Sequence, residues 1–125
     1  MLGAGNPSWV QRAWSMPKDK DRDLVADILA AAKDVQKYVA GLDKKKFSTD
    51  PKTADAVLFR LTVCGEAAGA LSQEFKDSHP DLPLRKMTDM RNRIVHGYGS
   101  VDLEIVWDTI TTDIPPLIKA LEALA

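Results

Sequence analysis

The feature that most constrains the fold is a seam of apolar residues in the middle of the chain. Its members are spaced 4, 3, 4, 3 and 4 residues apart: Val57, Leu61, Cys64, Ala68, Leu71 and Phe75. This spacing places them on one side of a helix of the kind that packs in bundles. No useful length of chain alternates between apolar and polar residues, as a half-buried strand would. The seam therefore predicts an all-α fold built around one long helix.

The segments before the seam are predicted to form another helix, which comes first in the chain, and a connection to the seam helix. Over residues 21–40 apolar side chains recur at steps of three and four, and Gly41 follows as a helix C-cap. Residues 42–49 form a polar connection that holds one apolar residue, Phe47, and Asp50 is an N-cap for the seam helix. Small residues inside the seam helix, including two glycines, indicate a close approach by a neighbouring helix, because each glycine costs about 1 kcal/mol of propensity.

Two more helical segments follow the seam. After a turn at residues 78–83, the spacing of apolar residues predicts a helix from about Leu84 to His96. Asp102 then caps a last helix, which the two prolines after Ile114 must kink or restart. The sequence thus predicts an antiparallel bundle of four to five helices.

The bulk composition is that of one ordinary globular domain. The chain has 125 residues, of which 45% are hydrophobic and 28% charged, with a net charge of −1. Any nucleic acid must therefore bind to a local basic patch. The single cysteine, Cys64, cannot form an intrachain disulfide, which fits a reducing compartment. No apolar run approaches the roughly 20 residues of a membrane helix, and the N-terminus does not resemble a signal peptide. We interpret residues 1–20 as a partly flexible extension.

A basic stretch ends the third predicted helix. Between Arg85 and Arg93 four cationic side chains accompany one acid. Asn92 and His96 are four residues apart, so they lie on one side of a helix. Arg91 precedes His96 by five residues, which is about 140° around the axis. Because the helix ends at the histidine, its ring can project into a cleft.

This set of side chains suits the cleavage of a phosphodiester. Histidine gives and takes protons near neutral pH, and arginine matches phosphate oxygens with a fork of donors. RNA carries its own nucleophile, the 2′-hydroxyl, so such a site needs a base, an acid and a cation. One chain supplies one such histidine, which suggests that two chains combine their sites in a symmetric dimer. The sequence has no P-loop, HExxH or cysteine–histidine metal set, and metal catalysis is disfavoured.

Each of these residues also has an ordinary structural reading. A histidine at a helix C-terminus is favoured by the helix dipole, and on spacing alone that role is the commoner one. Tyr98 between two glycines is typical of a turn residue that packs its ring on a neighbour. The other structural assignments are Arg91 and Arg93 as solvated or salt-bridged residues, Glu66 as an ion-pair partner, Met87 and Met90 as core, and His79 as a loop histidine.

The run RNRIVHGY resembles the R-x-x-x-x-H-x-Y signature of HepT-like toxins, a branch of the HEPN superfamily of metal-independent ribonucleases. The blocks DILAAAKDVQKYVAGL, VCGEAAGALS, HPDLPLRKMTDM and VWDTITTDIPPLIKAL are also similar to successive blocks of that family. The resemblance covers roughly residues 21–123, within a domain that we place at residues 21–125. Two positions depart from the family pattern: Leu84 stands where tryptophan is common, and Gly99 where a large apolar residue is common.

The resemblance implies a HEPN-type helical bundle, a homodimer whose motifs line a shared cleft, and a cytoplasmic endoribonuclease toxin without metal or cofactor. The implied partner is an MntA-like nucleotidyltransferase antitoxin that transfers AMP to the motif tyrosine. Carried over by residue, Arg91 clamps the phosphate and His96 is the general base or acid. Asn92 and Arg93 support the phosphate contact, and Tyr98 accepts AMP. An adenylyl group two residues from His96 would repel RNA.

Two alternative hypotheses are also consistent with the sequence. In the first, the chain is a non-catalytic subunit that presents substrate or nucleotide to a nucleotidyltransferase partner, and its basic patch merely holds phosphate. That reading predicts binding without turnover. In the second, the chain is a structural bundle with an incidental motif, so that substitutions of Arg91 and His96 change stability alone.

Overall fold

The all-α class is confirmed by a computed structural model, which describes the backbone of residues 8–124 and the side chains of residues 20–124; the expected extension, residues 1–20, falls largely outside the described side chains. The helices are α1 (Ser8–Val39), α2 (Lys44–Ser48), α3 (Pro51–Ala70), α4 (Gln73–Ser78), α5 (Leu84–Gly97), α6 (Leu103–Asp108) and α7 (Ile114–Leu124). No strand occurs in this part of the chain. Within residues 8–124, no helix combines the length and apolar character needed to span a membrane.

Helix α3 is the centre of the bundle, with α1 packed on one side and α5 on the other, while α7 packs on α1. The predicted seam is buried from Val57 to Leu71, and the facing sides of the neighbouring helices are equally buried. Their core residues include Ile28, Ala32 and Val35 of α1, Met87, Met90 and Ile94 of α5, and Leu117 and Leu121 of α7. Burial of these side chains, at about 25 cal/mol per Å² of apolar surface, is the main force that holds α3 in place.

The seam helix is shorter than predicted. Its expected continuation to Phe75 is wrong, because α3 ends at Ala70 and α4 begins again at Gln73. The cause is Asp21 on α1, whose carboxylate accepts hydrogen bonds from Ser72 N at 2.9 Å and Ser72 Oγ at 2.6 Å. Ser72 in turn caps α4 by accepting from the backbone N–H of Phe75. The tertiary contact with Asp21 therefore sets the break and leaves Phe75 half-buried.

The connection after α1 is also more ordered than predicted. Gly41 ends the α1 turn with φ +79, as the sequence indicated. Residues 44–48 then form the short helix α2, in which Asp43 caps the N-terminus by accepting from Lys46 N at 2.8 Å. The reason for this helix is Phe47, which is fully buried and stacks at a tilt against Trp107, with 5.4 Å between ring centroids. One buried ring converts a polar connection into a part of the core.

The predicted disturbance near the prolines is confirmed as a local change of helix type. Between α6 and α7 the segment Thr109–Asp113 is a π-helical turn, in which the Ile114 N–H donates to the Thr109 carbonyl five residues earlier. Pro115 and Pro116 follow at the start of α7, where a missing backbone N–H is tolerated best. The chain therefore passes from α6 into α7 without a sharp break.

Helices α3 and α5 approach each other closely at Gly65. A β-carbon added to Gly65 would collide with Cβ of Arg91 and with the carbonyl oxygen of Met87. At Gly69, one turn later, the nearest atom to such a β-carbon is Thr88 Oγ1 at an ordinary 3.7 Å. The predicted close approach is thus confirmed at the first glycine, and it occurs where Arg91 leaves the helix.

We expect Gly65→Ala to destabilise the protein and Gly69→Ala to leave it unchanged or more stable. Both substitutions gain about 1 kcal/mol of helix propensity, but only the first forces α5 away from α3, at a typical overpacking cost of about 1–3 kcal/mol. Urea unfolding followed by circular dichroism measures both variants against the wild type. Equal unfolding midpoints for the two variants would show that the helices do not need this contact.

Candidate active site

Helix α5 presents one row of polar side chains to solvent. Arg85, Asp89, Asn92 and His96 are spaced 4, 3 and 4 residues apart, and all four are exposed. We call this row the open face of α5. The opposite side of the helix is held in the core by Met87 and its apolar neighbours. The sequence-predicted pairing of Asn92 and His96 on one side of the helix is therefore present in the structure.

His96 lies beside a cavity of about 400 Å³ where α5 passes into the 3₁₀ turn Tyr98–Ser100 and on to α6. We call it the His96 cavity. Its lining consists of Met90, Arg93, His96, Gly97, Ser100, Val101, Asp102, Ile105 and Val106. The lining combines apolar side chains with a guanidinium, an imidazole, a hydroxyl and a carboxylate. Such a mixture can hold a flat or apolar group beside a phosphate.

Arg91 points to a different side of the helix from His96 and is not among the residues that line this cavity. Its Nη1 donates to Asn92 Oδ1 at 3.0 Å, and its Nε lies 2.9 Å from Glu66 Oε2 on α3. The buried Nε–H does not point at that oxygen, so the contact is an ion pair without an aligned hydrogen bond. The interpretation of Glu66 as an ion-pair partner is confirmed, and one chain alone does not place Arg91 against His96.

The contact with Glu66 leaves Arg91 available to a ligand. The Glu66 side chain is 67% exposed and that of Arg91 31% exposed, and ion pairs of this kind contribute about 0–1 kcal/mol. Hydrogen bonds between arginine and a phosphate are charge-assisted and often bidentate, and each is worth about 1.5–3 kcal/mol. The contact with Glu66 is therefore of a kind that a phosphate can replace at Arg91.

Tyr98 is anchored rather than packed as a turn residue. Its ring is 53% exposed, and its hydroxyl donates to Asp55 Oδ1 on α3 at 2.8 Å. This hydrogen bond, with smaller contributions from desolvation and from the negative charge of Asp55, raises the pKa of Tyr98. Asp55 was missed in the sequence. Its position eleven residues before Glu66 places both acids on the same side of α3, but nothing near it in the sequence marks it as the partner of Tyr98.

The remaining chemistry-bearing groups set limits on what the site can do. Arg85, Arg93 and His96 have no ion-pair partner among the described side chains. In the same part of the chain no group of three or more histidine, cysteine or acidic residues could hold a metal ion. Burial raises the pKa of the Cys64 thiol to about 12, so it is no nucleophile near neutral pH. The site therefore provides cationic hydrogen-bond donors and one exposed imidazole.

The fold and the site define a helical-bundle protein in which the Arg-Asn-Arg…His…Tyr run lies at the largely exposed C-terminal end of α5. Comparison with known proteins narrows this class to one family: the family model described as Ribonuclease HepT-like matches residues 28–124. The chain belongs to this family.

Several curated relatives are similar to this chain over nearly their whole length. A protein of Thermococcus cleftensis named "Probable ribonuclease HepT" is 34% identical over 86% of this chain and 97% of its own. A Methanocaldococcus jannaschii protein with RNase in its name is 33% identical over 87% of this chain and 90% of its own. A third, from Caldanaerobacter subterraneus and also with RNase in its name, is 30% identical over 82% and 92%. The search of solved structures found no match.

We expect Asp55→Asn to lower the pKa of Tyr98 towards its ordinary value, because the substitution removes the acceptor's charge and weakens the hydrogen bond. Since the raised pKa favours the neutral phenol, the bond stabilises the fold below the ordinary tyrosine pKa of about 10. That stability is lost as the pH rises through the raised pKa of Tyr98.

Ultraviolet absorbance of tyrosinate during a pH titration measures the change. Tyr98→Phe identifies the transition, because it leaves only that of Tyr38. An Asp55→Asn titration that superimposes on the wild-type curve would contradict the assigned role of the carboxylate.

Proposed function

We propose that this protein is a metal-independent endoribonuclease, the toxin of a toxin–antitoxin pair, with His96 and Arg91 as its catalytic residues. The observation that carries the proposal is the exposed ring of His96 at the end of α5, beside a cavity with Arg93 and one turn from Asn92. Membership of the HepT-like family and the RNase names of the relatives support it. We propose that residues 21–125 form the domain that carries this activity in each copy.

The chemistry needs no group beyond these side chains and the RNA. His96 takes the proton of the 2′-hydroxyl as its oxygen attacks phosphorus and the bond from phosphorus to the 5′-oxygen breaks. Arg91 leaves Glu66 and stabilises the charge that develops on the non-bridging oxygens. Asn92, already bonded to Arg91, holds the guanidinium or orients His96. The leaving 5′-oxygen needs a proton, which a second histidine can supply.

We propose that His96 of a second copy is that acid, in a symmetric dimer. An exposed apolar strip supports this assembly: Phe59 of α3 and Val95 of α5 are 61% and 48% exposed. By helical spacing they lie on adjoining sides of the two helices, between the Asp55–Tyr98 and Glu66–Arg91 contacts. The strip borders the open face of α5, so a copy docked there brings two histidines to one groove.

We propose that Tyr98 is the site of control by an MntA-like nucleotidyltransferase antitoxin in the cytoplasm. Its exposed hydroxyl is accessible, and Asp55 is positioned to take the phenol proton as the oxygen attacks the α-phosphorus of ATP and pyrophosphate leaves. The adenylyl group adds a negative phosphate and a nucleoside two residues from His96. Charge repulsion and bulk would then exclude RNA from the cleft.

We expect the purified protein to cleave total RNA in excess EDTA, and His96→Ala and Arg91→Ala each to reduce the rate by about 100-fold or more, as loss of an acid–base group or a charge-stabilising donor does. Gel analysis of the RNA gives the rate. Arg22→Ala, at an exposed arginine of α1, is the matched control and should cleave as the wild type does.

Circular dichroism must show that all variants are folded. Tight RNA binding without cleavage by the folded wild type would instead favour the non-catalytic, substrate-presenting subunit. Cleavage that survives both substitutions would place the active site elsewhere.

We expect Phe59→Glu combined with Val95→Glu to convert the dimer into a monomer, because two charges would be desolvated in the interface. The dissociation constant should rise by about 100-fold or more, and RNA cleavage should fall with it. Sedimentation velocity measures the mass. Leu124→Glu, at a 45% exposed apolar residue of α7, is the control. A double variant that sediments as the wild type does would show that the strip is not the interface.

A further inference from the structure

A second polar cavity borders the open face of α5, nearer to the start of the helix than His96. Its volume is about 580 Å³, and it lies between the end of α3, helix α4 and the first turns of α5. We call it the Lys76 cavity. Arg85 and Asp89, which belong to the open face of α5, form one wall, and Lys76 and His79 form the other. None of these side chains has a part in the proposed cleavage.

The Lys76 cavity is cationic. Lys76 and Arg85 carry two positive charges against the one carboxylate of Asp89. Arg85 is exposed and has no ion-pair partner within the described part of the chain. Lys76 Nζ donates to the carbonyl of Gly69, in the last turn of α3, at 3.0 Å. That hydrogen bond uses one of three ammonium protons and holds the charge at the wall, with two donors left for a ligand.

His79 adds an oriented ring to this wall. Its Nδ1 lies 2.9 Å from the Phe75 carbonyl oxygen, and its ring stacks on that of Phe75 with 4.3 Å between centroids. Because a carbonyl oxygen can only accept, Nδ1 must carry the hydrogen, and Nε2 is the nitrogen left for a ligand. A tethered ammonium and an unpaired guanidinium around one space are donors that bind phosphate oxygens, and His79 adds an Nε2–H donor to them when its ring is in the imidazolium form.

Both cavities border the open face of α5. Arg85 and His96 are eleven residues apart on the open face of α5, which is about 16 Å at 1.5 Å per residue. A single strand whose scissile phosphate lies at His96 would therefore pass the Lys76 cavity a few nucleotides away. We infer that the Lys76 cavity binds a backbone phosphate of the RNA at a distance from the cleaved bond. This inference rests on the proposed function for the identity of the strand.

The test measures binding of an uncleavable strand. An all-deoxy octanucleotide lacks the 2′-hydroxyl nucleophile but carries the same backbone phosphates, and its fluorescence anisotropy reports the dissociation constant. We expect Lys76→Gln combined with Arg85→Gln to weaken binding by about tenfold or more. The slope of log K against log salt should become shallower by about 0.7 for each phosphate that no longer meets a cation. Lys119→Gln, at an exposed lysine of α7, should bind as the wild type does.

A second measurement needs no variant. The chain has two histidines, so NMR of the wild type has only two ring systems to follow, those of His79 and His96. We expect the octanucleotide to shift both. A shift of His96 alone, with wild-type affinity and salt slope in the double variant, would overturn the inference.

The two proposals can fail separately. RNA cleavage that depends on His96, together with an unresponsive Lys76 cavity, keeps the ribonuclease and removes this site. Absence of cleavage, together with the expected loss of affinity and shift of His79, keeps the cavity as a nucleic-acid phosphate site in a protein that does not cut.

Discussion

The site depends on how closely α3 and α5 approach each other at Gly65. With no β-carbon on α3 at this point, the stem of Arg91 lies directly against the neighbouring backbone. A close approach of this kind leaves little freedom to the helix pair, because protein interiors are packed at the density of organic crystals. The start of the Arg91 side chain is thereby fixed by the core, whereas its guanidinium reaches the surface, where a partly exposed ion pair with Glu66 holds it.

Two polar contacts lie at the two ends of the exposed apolar strip formed by Phe59 and Val95. Tyr98 reaches Asp55 at one end and Arg91 reaches Glu66 at the other, while Phe59 lies between the two acids on the same side of α3. Polar pairs at both ends with apolar surface at the centre form the arrangement of an interface with an apolar core and a polar rim. The same pairs keep the phenol and the guanidinium at defined positions before any partner or substrate arrives.

Local patterns in the sequence were sufficient for the helical segments α1, α3, α5, α6 and α7, for the core face of α3 and for the end of α5, because helical periodicity and caps act within a few residues. They were insufficient where contacts join distant segments. The break after Ala70 results from Asp21, about fifty residues earlier in the chain, and the anchor of Tyr98 is Asp55, on another helix. Phe47 is buried because Trp107 meets it across the bundle. None of these pairings has a local signal.

The spacing of the motif explains why its two central residues do not meet in one chain. Five residues turn a helix by about 140°, so an arginine packed against a neighbouring helix leaves the histidine facing open solvent. The close approach at Gly65 places Arg91 on the side of α5 that faces α3, whereas His96 lies on the open face of α5. A phosphate held by both must lie across the edge between these sides. That edge adjoins the strip of Phe59 and Val95. The surface proposed to bind the second copy is therefore also the place where Arg91 and His96 can contact the same phosphate.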